Sequence, residues 1–246
     1  MAVHVKQERR EFIQYSTLGV LGLVLAGGVV GAPYLRAEEK RLRPPGAVEE
    51  NRFLALCIKC GQCLQVCPYH SIELASFTKG YGMGTPYIDA RKRGCYLCGA
   101  VPCVLACPTG ALDHHTEKPQ DVKMGIAVLE FPKSCLAVTK TKVPKEQIER
   151  IYGHPHTREL EEKVLEKLSK FEDKPCTICA DMCPLPNPLS AIEMVTSPNG
   201  SMYPKVKSGC VGCGVCEELC PASSPAIVIK PRIKYEDYYN KNGGNV

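Results

Sequence analysis

The chain has no tryptophan and only five phenylalanines among its 246 residues. Because large aromatic side chains contribute much of the buried area in many cores, their scarcity excludes a core built mainly on aromatics. We find no nucleotide-binding loop, nucleophile motif, flavin site or paired-carboxylate spacing, so we expect no catalytic site of the chain's own. In their place the sequence has sixteen cysteines, twenty prolines and twenty-one glycines. A loop-rich chain with this many thiols is stabilised by disulfides or by metal.

The charge balance is slightly basic, with a formal net charge of +5. Nucleic acid is nevertheless not an expected partner, for two reasons. The basic residues do not form a stripe with interleaved aromatics of the kind that nucleic-acid surfaces have. In addition, if the cysteines bind metal as thiolates, their negative charge outweighs the excess of basic side chains.

The N-terminal region has two adjacent arginines, Arg9 and Arg10, followed by an apolar run from Leu18 to Ala32. The run is shorter than the roughly 20 residues that a bilayer-spanning helix needs. Residues 1–37 are therefore predicted to be a twin-arginine export signal or an N-terminal anchor, which implies a periplasmic location at the cytoplasmic membrane. Whether the signal is cleaved stays open, because no clean small-residue cleavage site follows it. A charged, proline-containing connector is expected over residues 38–56.

The cysteines form four blocks, each of which ends in a Cys-Pro pair. The first and fourth blocks have the spacing Cys-x2-Cys-x2-Cys-x3-Cys-Pro, which matches the run of bacterial ferredoxins. The second block has a longer middle gap, and the third has only three close cysteines, so its simplest fourth member is the isolated cysteine upstream. The blocks are Cys57, Cys60, Cys63 and Cys67; Cys95, Cys98, Cys103 and Cys107; Cys135 with Cys176, Cys179 and Cys183; and Cys210, Cys213, Cys216 and Cys220.

This spacing favours iron–sulfur clusters over zinc and disulfides. Cysteines two residues apart let one loop wrap a cuboidal cluster, while the fourth cysteine of the block reaches a neighbouring cluster. Zinc sites more often use two Cys-x2-Cys pairs that lie a dozen or more residues apart. Cysteines this close along one loop would also be strained disulfide partners. We therefore predict four [4Fe–4S] clusters.

The blocks occur as an internal repeat, because 27 residues separate the first two (Pro68 to Gly94) and 26 separate the last two (Pro184 to Gly209). The predicted fold is α+β, loop-rich, with tandem two-cluster modules like bacterial ferredoxins. The first module is expected over residues 57–123 and the second over residues 124–230, with a C-terminal tail over residues 231–246.

If each half folds like a two-cluster ferredoxin, every cluster takes its fourth ligand from the other block of its module. The alternative is a nested arrangement that pairs block one with four and block two with three. The near-equal spacers favour consecutive pairing, while the order in which electrons pass between the clusters stays open. The consecutive sets are Cys57, Cys60, Cys63 and Cys107 (first); Cys95, Cys98, Cys103 and Cys67 (second); Cys135, Cys176, Cys179 and Cys220 (third); and Cys210, Cys213, Cys216 and Cys183 (fourth).

Short strands are expected beside the cysteine blocks, where apolar and β-branched residues collect. They are predicted at Ser71–Leu74, Pro86–Asp89, Gly110–Leu112, Gly125–Glu130, Ser190–Met194 and Ala226–Ile229.

Residues 136–175 form an insertion between Cys135 and Cys176 that contains the one long helical pattern, from Thr157 to Asp173. Its predicted apolar face comprises Leu160, Val164, Leu165, Leu168 and Phe171, with Thr157 as N-cap. The insertion is either a docking element for a partner or a solvated excursion. Because the cysteines already complete four sets, the histidines are expected at the surface or behind the ligands. These are His70, His114, His115, His154 and His156.

Several motifs outside the cysteine spacing are more specific. They are Leu42-Arg43-Pro44-Pro45-Gly46-Ala47, Lys59-Cys60-Gly61-Gln62-Cys63, Gly84-Thr85-Pro86-Tyr87 and Met124-Gly125-Ile126-Ala127-Val128-Leu129. With the twin arginines, these motifs make the chain resemble the NapG/MauM ferredoxin-type proteins from the signal to Cys135 and again from Cys176. The chain departs from that family in the insertion.

The resemblance implies an electron-transfer subunit of a membrane quinol dehydrogenase, facing the periplasm. It would work with a polytopic NapH-like partner that oxidises quinol, and pass electrons to a cytochrome or a periplasmic reductase such as nitrate reductase. Generic four-cluster subunits of molybdopterin oxidoreductases share the cysteine blocks, so that function is the alternative. A zinc-stabilised interaction protein is a third and non-redox possibility.

Overall fold

The computed structural model divides the chain into two compact units, Met1–Glu39 with Ala75–Gly84, and Lys40–Leu74 with Thr85–Val246. In the first unit, residues 14–22 are helical. Among the described residues, no helix has both the length and the apolar character needed to cross a membrane. The twin arginines, the predicted N-cap Thr157 and two of the five histidines named above, His154 and His156, lie outside the described residues. The structure describes residues 12, 14–22, 24, 40–76, 82–153 and 159–239.

The second unit contains short helices and short strands that alternate with loops. Its helices are α1 (Glu50–Leu56), α2 (Gln62–Gln65), α3 (Pro102–Leu105), α4 (Lys145–Tyr152), α5 (Glu159–Ser169), α6 (Ile178–Asp181), α7 (Val215–Glu218) and α8 (Tyr235–Tyr239). Its strands are β1 (Glu73–Leu74), β2 (Pro86–Tyr87), β3 (Gly125–Leu129), β4 (Ile192–Thr196), β5 (Met202–Val206) and β6 (Ile227–Pro231). This mixed, loop-rich content agrees with the predicted fold class.

The strands pair into three antiparallel two-stranded sheets. In each half, one hairpin lies between the two cysteine blocks: β1 with β2, and β4 with β5. A second pairing encloses the second half, because β3 precedes Cys135 and β6 follows the fourth block. In the first half, a single bridge from Ala47 to Leu112 takes this place, and a further bridge joins Leu42 to Ile88. The sheets thus repeat the plan of the cysteine blocks.

Most of the predicted strands are confirmed, with one correction. Residues Gly110–Leu112 do not form a strand, since only Leu112 makes a bridge. Strand β5 was not predicted. Its central Pro204 removes a backbone donor, and the edge position of β5 in a two-stranded sheet tolerates that loss.

Four-residue helices start inside the cysteine blocks and pair within each half, α2 with α3 and α6 with α7. The residue before α2 is Gly61 and the residue before α7 is Gly214, and both have left-handed backbones with φ of 74° and 90°. Glycine adopts this conformation without steric cost. The loop that carries the first cysteines of each of these blocks can therefore turn directly into the helix that carries the third.

Residues 42–56, which the sequence assigns to a connector, pack onto the first half. Helix α1 begins after Glu49, whose carboxylate accepts hydrogen bonds from the backbone of Asn51 and Arg52. Phe53 is 1% exposed, and the Arg43 guanidinium lies 4.8 Å from the centre of its ring. The segment therefore belongs to the hydrophobic core.

The insertion packs against the body of the second unit and is not a solvated excursion. Ile148 of α4 and Leu168 of α5 are completely buried. The buried face of α5 differs from the predicted one, because Leu160 is 41% exposed while Glu161 is 1% exposed. The burial of the Glu161 carboxylate is tolerated because the Arg93 guanidinium lies 3.4 Å away and compensates its charge.

Candidate metal centres

Three cavities are lined by thiols from the predicted sets. Their walls are mostly apolar, and the described residues that line them include no carboxylate or imidazole. The first cavity has Cys57, Cys60, Cys63 and Cys107; the second has Cys67, Cys95, Cys98 and Cys103; and the cavity of the fourth set has Cys183, Cys210, Cys213 and Cys216 together with Cys179.

Each of these cavities is lined by thiols from two different blocks. Cys107 ends the second block and lines the first cavity, while Cys67 ends the first block and lines the second cavity. Likewise Cys183 ends the third block and lines the cavity of the fourth. The short helices produce this exchange, because one helical turn after the third cysteine directs the fourth away from its own loop.

The third set is brought together across a long stretch of sequence. Burial raises the pKa of Cys176 to about 12, and the nearby Cys135 and Cys220 thiols add to the increase. Burial also raises the pKa of Cys179, with contributions from Cys176, Cys135 and Cys220. These four thiols therefore lie within electrostatic range of one another, although Cys135 precedes Cys176 by the whole insertion. The pairing of β3 with β6 brings the two ends of this set together.

Burial also raises the pKa of thiols in the other sets, to about 11 at Cys63 and Cys98 and about 12 at Cys103. A buried thiolate is unfavourable without a positive charge beside it. A bound metal supplies that charge, and metal binding releases the thiol proton. The thiol sets are thus suited to a strongly bound cation and not to reactive free thiolates.

Backbone amides point at the sulfur atoms. The amide of Ser71 donates to the sulfur of Cys67 at 3.3 Å, and the amide of Ala226 donates to the sulfur of Cys220 at 3.4 Å. At Cys107 burial opposes ionisation, but amides of the following loop lower the pKa below its ordinary value. Such hydrogen bonds stabilise negative charge on sulfur and tune metal sites.

The thiol sets fit [4Fe–4S] clusters by donor type, number and surroundings. Four sulfur donors per set is the number that such a cluster requires, and amides compensate the charge that the thiolates would carry. No two of the sixteen cysteines form a disulfide. Within the described residues, no group of three or more His, Cys, Asp or Glu side chains has the spacing to hold a single metal ion.

Two polar side chains that approach the ligands from behind come from outside the cysteine blocks. His114 Nε2 lies 2.9 Å from the carbonyl oxygen of Cys107, in agreement with a place behind the ligands. Arg150 of α4 donates to the carbonyl oxygens of Cys220 and Ala222, both at 3.2 Å. No motif in the sequence pointed to Arg150, since it lies in the insertion far from any cysteine. His70 instead faces Glu161 at 3.4 Å, and His115 is exposed.

Comparison with known proteins identifies the family. The 4Fe–4S dicluster domain matches residues 56–111. The chain is 34% identical to the ferredoxin-type protein NapG of Escherichia coli (strain K12) over 230 residues, which cover 91% of this chain and 85% of NapG. It is 35% identical to the methylamine utilization ferredoxin-type protein MauM of Methylorubrum extorquens over 213 residues, which cover 86% of this chain and 81% of MauM.

A second NapG, from Haemophilus influenzae, is 32% identical over 91% of this chain and 72% of that protein. No solved structure matches the chain. The similarity to NapG and MauM extends over both cysteine-rich halves, in agreement with the motifs noted in the sequence. The chain therefore belongs to the NapG and MauM family of ferredoxin-type iron–sulfur proteins, which transfer electrons.

Proposed function

We propose that the chain holds four [4Fe–4S] clusters in consecutive pairs and relays electrons from a membrane quinol to a periplasmic acceptor. The observation that carries the proposal is the exchange of thiols between neighbouring blocks. Cys107 joins the first block in one cavity while Cys67 joins the second block in the next. This reciprocal exchange is the ligation pattern of two-cluster ferredoxins, and Cys183 extends it to the second half.

The sixteen cysteines would act as thiolate ligands in the four sets given above. When bound, each cluster accepts and releases single electrons. The chain's own residues keep the sulfurs in largely apolar surroundings, donate amide hydrogen bonds to them, and place cations such as Arg150 behind them. These are the features by which a protein sets cluster potentials.

The electron donor would be a quinol, which releases two electrons and two protons as it becomes a quinone. A NapH-like membrane protein would oxidise the quinol, and this chain would accept the electrons one at a time without taking up the protons. The acceptor would be a cytochrome or a reductase such as nitrate reductase. The resemblance to NapG and the Arg9-Arg10 pair support a periplasmic site reached by twin-arginine export.

Chemical analysis of anaerobically purified protein tests the cluster content. We expect about sixteen iron and sixteen sulfide per chain, because each cluster contains four of each. Broad brown visible absorbance should accompany them and fade on reduction with dithionite. Near-stoichiometric zinc with a colourless solution would contradict the proposal.

Reconstitution with a co-expressed NapH-like membrane protein tests the electron donor. A quinol should bleach the visible absorbance only when that membrane protein is present, since the membrane protein would be the partner that oxidises the quinol. Co-purification with a molybdopterin subunit, and no reduction by quinol, would instead favour the alternative of an oxidoreductase subunit.

Arg150 provides a prediction about potential. Replacing Arg150 with methionine is expected to lower the reduction potential at the third set, on the order of tens of millivolts, because a nearby positive charge favours the more negative reduced form. A potentiometric titration followed by electron paramagnetic resonance measures the shift. Lys145→Met is the matched control on the same helix, where the side chain is 69% exposed. Equal shifts in both variants would argue against a specific effect of Arg150.

A further inference from the structure

A direct backbone contact joins the second cysteine block to the fourth. The amide N–H of Cys95 donates to the carbonyl oxygen of Cys213 at 2.7 Å. Cys95 lines the second cavity and Cys213 lines the cavity of the fourth set. The hydrogen bond therefore connects a thiol set of the first half with a thiol set of the second half.

Glycines allow this close approach. A Cβ atom at Gly94 would lie 2.5 Å from the backbone nitrogen of Val215, and one at Gly214 would lie 2.8 Å from the Cβ of Ala90. Neither distance is compatible with ordinary van der Waals contact, so both positions need glycine for the backbones to meet. The contact is further held by Glu218, whose carboxylate accepts from the Gly94 amide at 2.7 Å. The backbones of the two blocks therefore meet directly at the hydrogen bond between Cys95 and Cys213.

Within each half, the two thiol sets are neighbours through their shared helices. Cys63 of the first set and Cys67 of the second are joined by the end of α2. Cys179 belongs to the third set and also lines the cavity of the fourth. The first set thus lies next to the second, and the third lies next to the fourth.

On the basis of the proposed function, we infer that the four thiol sets follow one another in space as first, second, fourth and third, and that electrons cross between the halves at the Cys95–Cys213 contact. This order differs from the order along the sequence. In each crossing one electron leaves the group at one set, which is oxidised, and reaches the group at the next, which is reduced. No bond is made or broken and no proton is transferred.

The two ends of this order differ in exposure. Cys60 of the first set is exposed, whereas three of the four thiols of the third set are buried: Cys135, Cys176 and Cys220. The first set is therefore the more accessible end of the series to a redox partner.

Paramagnetic resonance of variants that retain two clusters tests the order. Cys60→Ala with Cys176→Ala leaves the second and fourth sets, while Cys60→Ala with Cys216→Ala leaves the second and third. After dithionite reduction, we expect spin–spin splitting in the first variant and its loss in the second. Splitting in the second variant only, or in neither, would overturn the inferred order.

A second experiment keeps all the ligands and perturbs only the contact. Gly94→Ala is expected to weaken the magnetic interaction between the halves, because the added methyl group forces the blocks apart. Gly99→Ala is the matched control beside Cys98 of the same block, since a Cβ at Gly99 would meet no atom within 4 Å. An unchanged interaction in Gly94→Ala would contradict a crossing at this contact. If the two-cluster variants fail to fold, this experiment still tests whether electrons cross between the halves at the Cys95–Cys213 contact.

The iron content separates this inference from the proposed function. About sixteen iron per chain in the unsubstituted protein supports four clusters whatever their order. Full iron content with the wrong pattern of splitting would reject the order alone, whereas absent clusters would reject the proposed function itself.

Discussion

Cys60→Ala and Cys107→Ala are expected to remove the same cluster, although the two cysteines lie in different blocks. Both thiols line the first cavity, so each single variant should lose about four of the sixteen iron atoms. The double variant should lose no more than either single one, because the second substitution affects a cluster that is already absent. Iron and sulfide analysis with paramagnetic resonance of the reduced protein measures the loss.

The control for this experiment is Cys60→Ala combined with Cys220→Ala. Cys220 is assigned to the third set, where its thiol raises the pKa of Cys176, so this double variant should lose about eight iron atoms. Nested pairing of the blocks predicts the reverse, since Cys220 would then share a cluster with Cys60. Additive loss for Cys60 with Cys107, and no further loss for Cys60 with Cys220, would therefore establish the nested arrangement.

Glu50→Ala is expected to destabilise the protein by about 3–5 kcal/mol, because it leaves a buried arginine without its partner. The Arg43 side chain is 3% exposed and forms a close ion pair with Glu50, in which its Nε lies 3.1 Å from the carboxylate. Arg43 also donates to Thr85 at 2.9 Å and to the carbonyl oxygen of Pro86 at 2.8 Å. Arg232, after the last strand, donates to the same carboxylate at 2.9 Å.

Through Arg43, Glu50 therefore connects residues 42–56 with the start of β2 in the first hairpin. Through Arg232, it also connects this segment with the end of the second half. The measurement is the denaturant concentration at which the visible absorbance is lost under anaerobic conditions. Glu166→Ala is the control, since its pair with Lys170 is exposed and such surface pairs contribute little. An equally small change in the denaturant midpoint of both variants would show that the buried Arg43 does not need Glu50 to keep the fold stable.

The pH dependence of this effect follows from the carboxyl group. Burial opposes its ionisation, but Arg43 and Arg232 together hold the pKa of Glu50 below its ordinary value. A lowered pKa in the folded state means that the stabilisation is present above the unfolded pKa and is lost as the pH falls through the folded one. The difference between Glu50→Ala and the unsubstituted protein should therefore shrink in acid.

The sequence predicted the parts of this molecule that depend on short-range spacing. The thiol exchange follows from the x3 step before each Cys-Pro, and the strands beside the blocks follow from their β-branched residues. The same reasoning failed where distant contacts decide the outcome. Arg43 appears in the sequence as part of a charged connector, yet the Glu50 carboxylate that allows its burial can be recognised only once the chain has folded.

Helix α5 shows the same limit. Its apolar pattern predicted the helix correctly but placed Leu160 on the buried face, where the structure places Glu161. A carboxylate is buried there because Arg93 approaches from another part of the chain. Periodicity gives the helix and its approximate face, whereas a charge that is compensated from a distance leaves no trace in the local pattern.

The pairing of β3 with β6 has a consequence for how the protein is made. When residues 40–112 have emerged from the ribosome, all the cysteines of the first and second sets are present. The third set, which begins with Cys135, is complete only after Cys220 has been synthesised. Until then β3, whose Ile126, Ala127 and Val128 are buried in the finished protein, has an unpaired edge that invites association with other chains. A product that terminates before β6 would thus carry a mature first half beside an aggregation-prone strand.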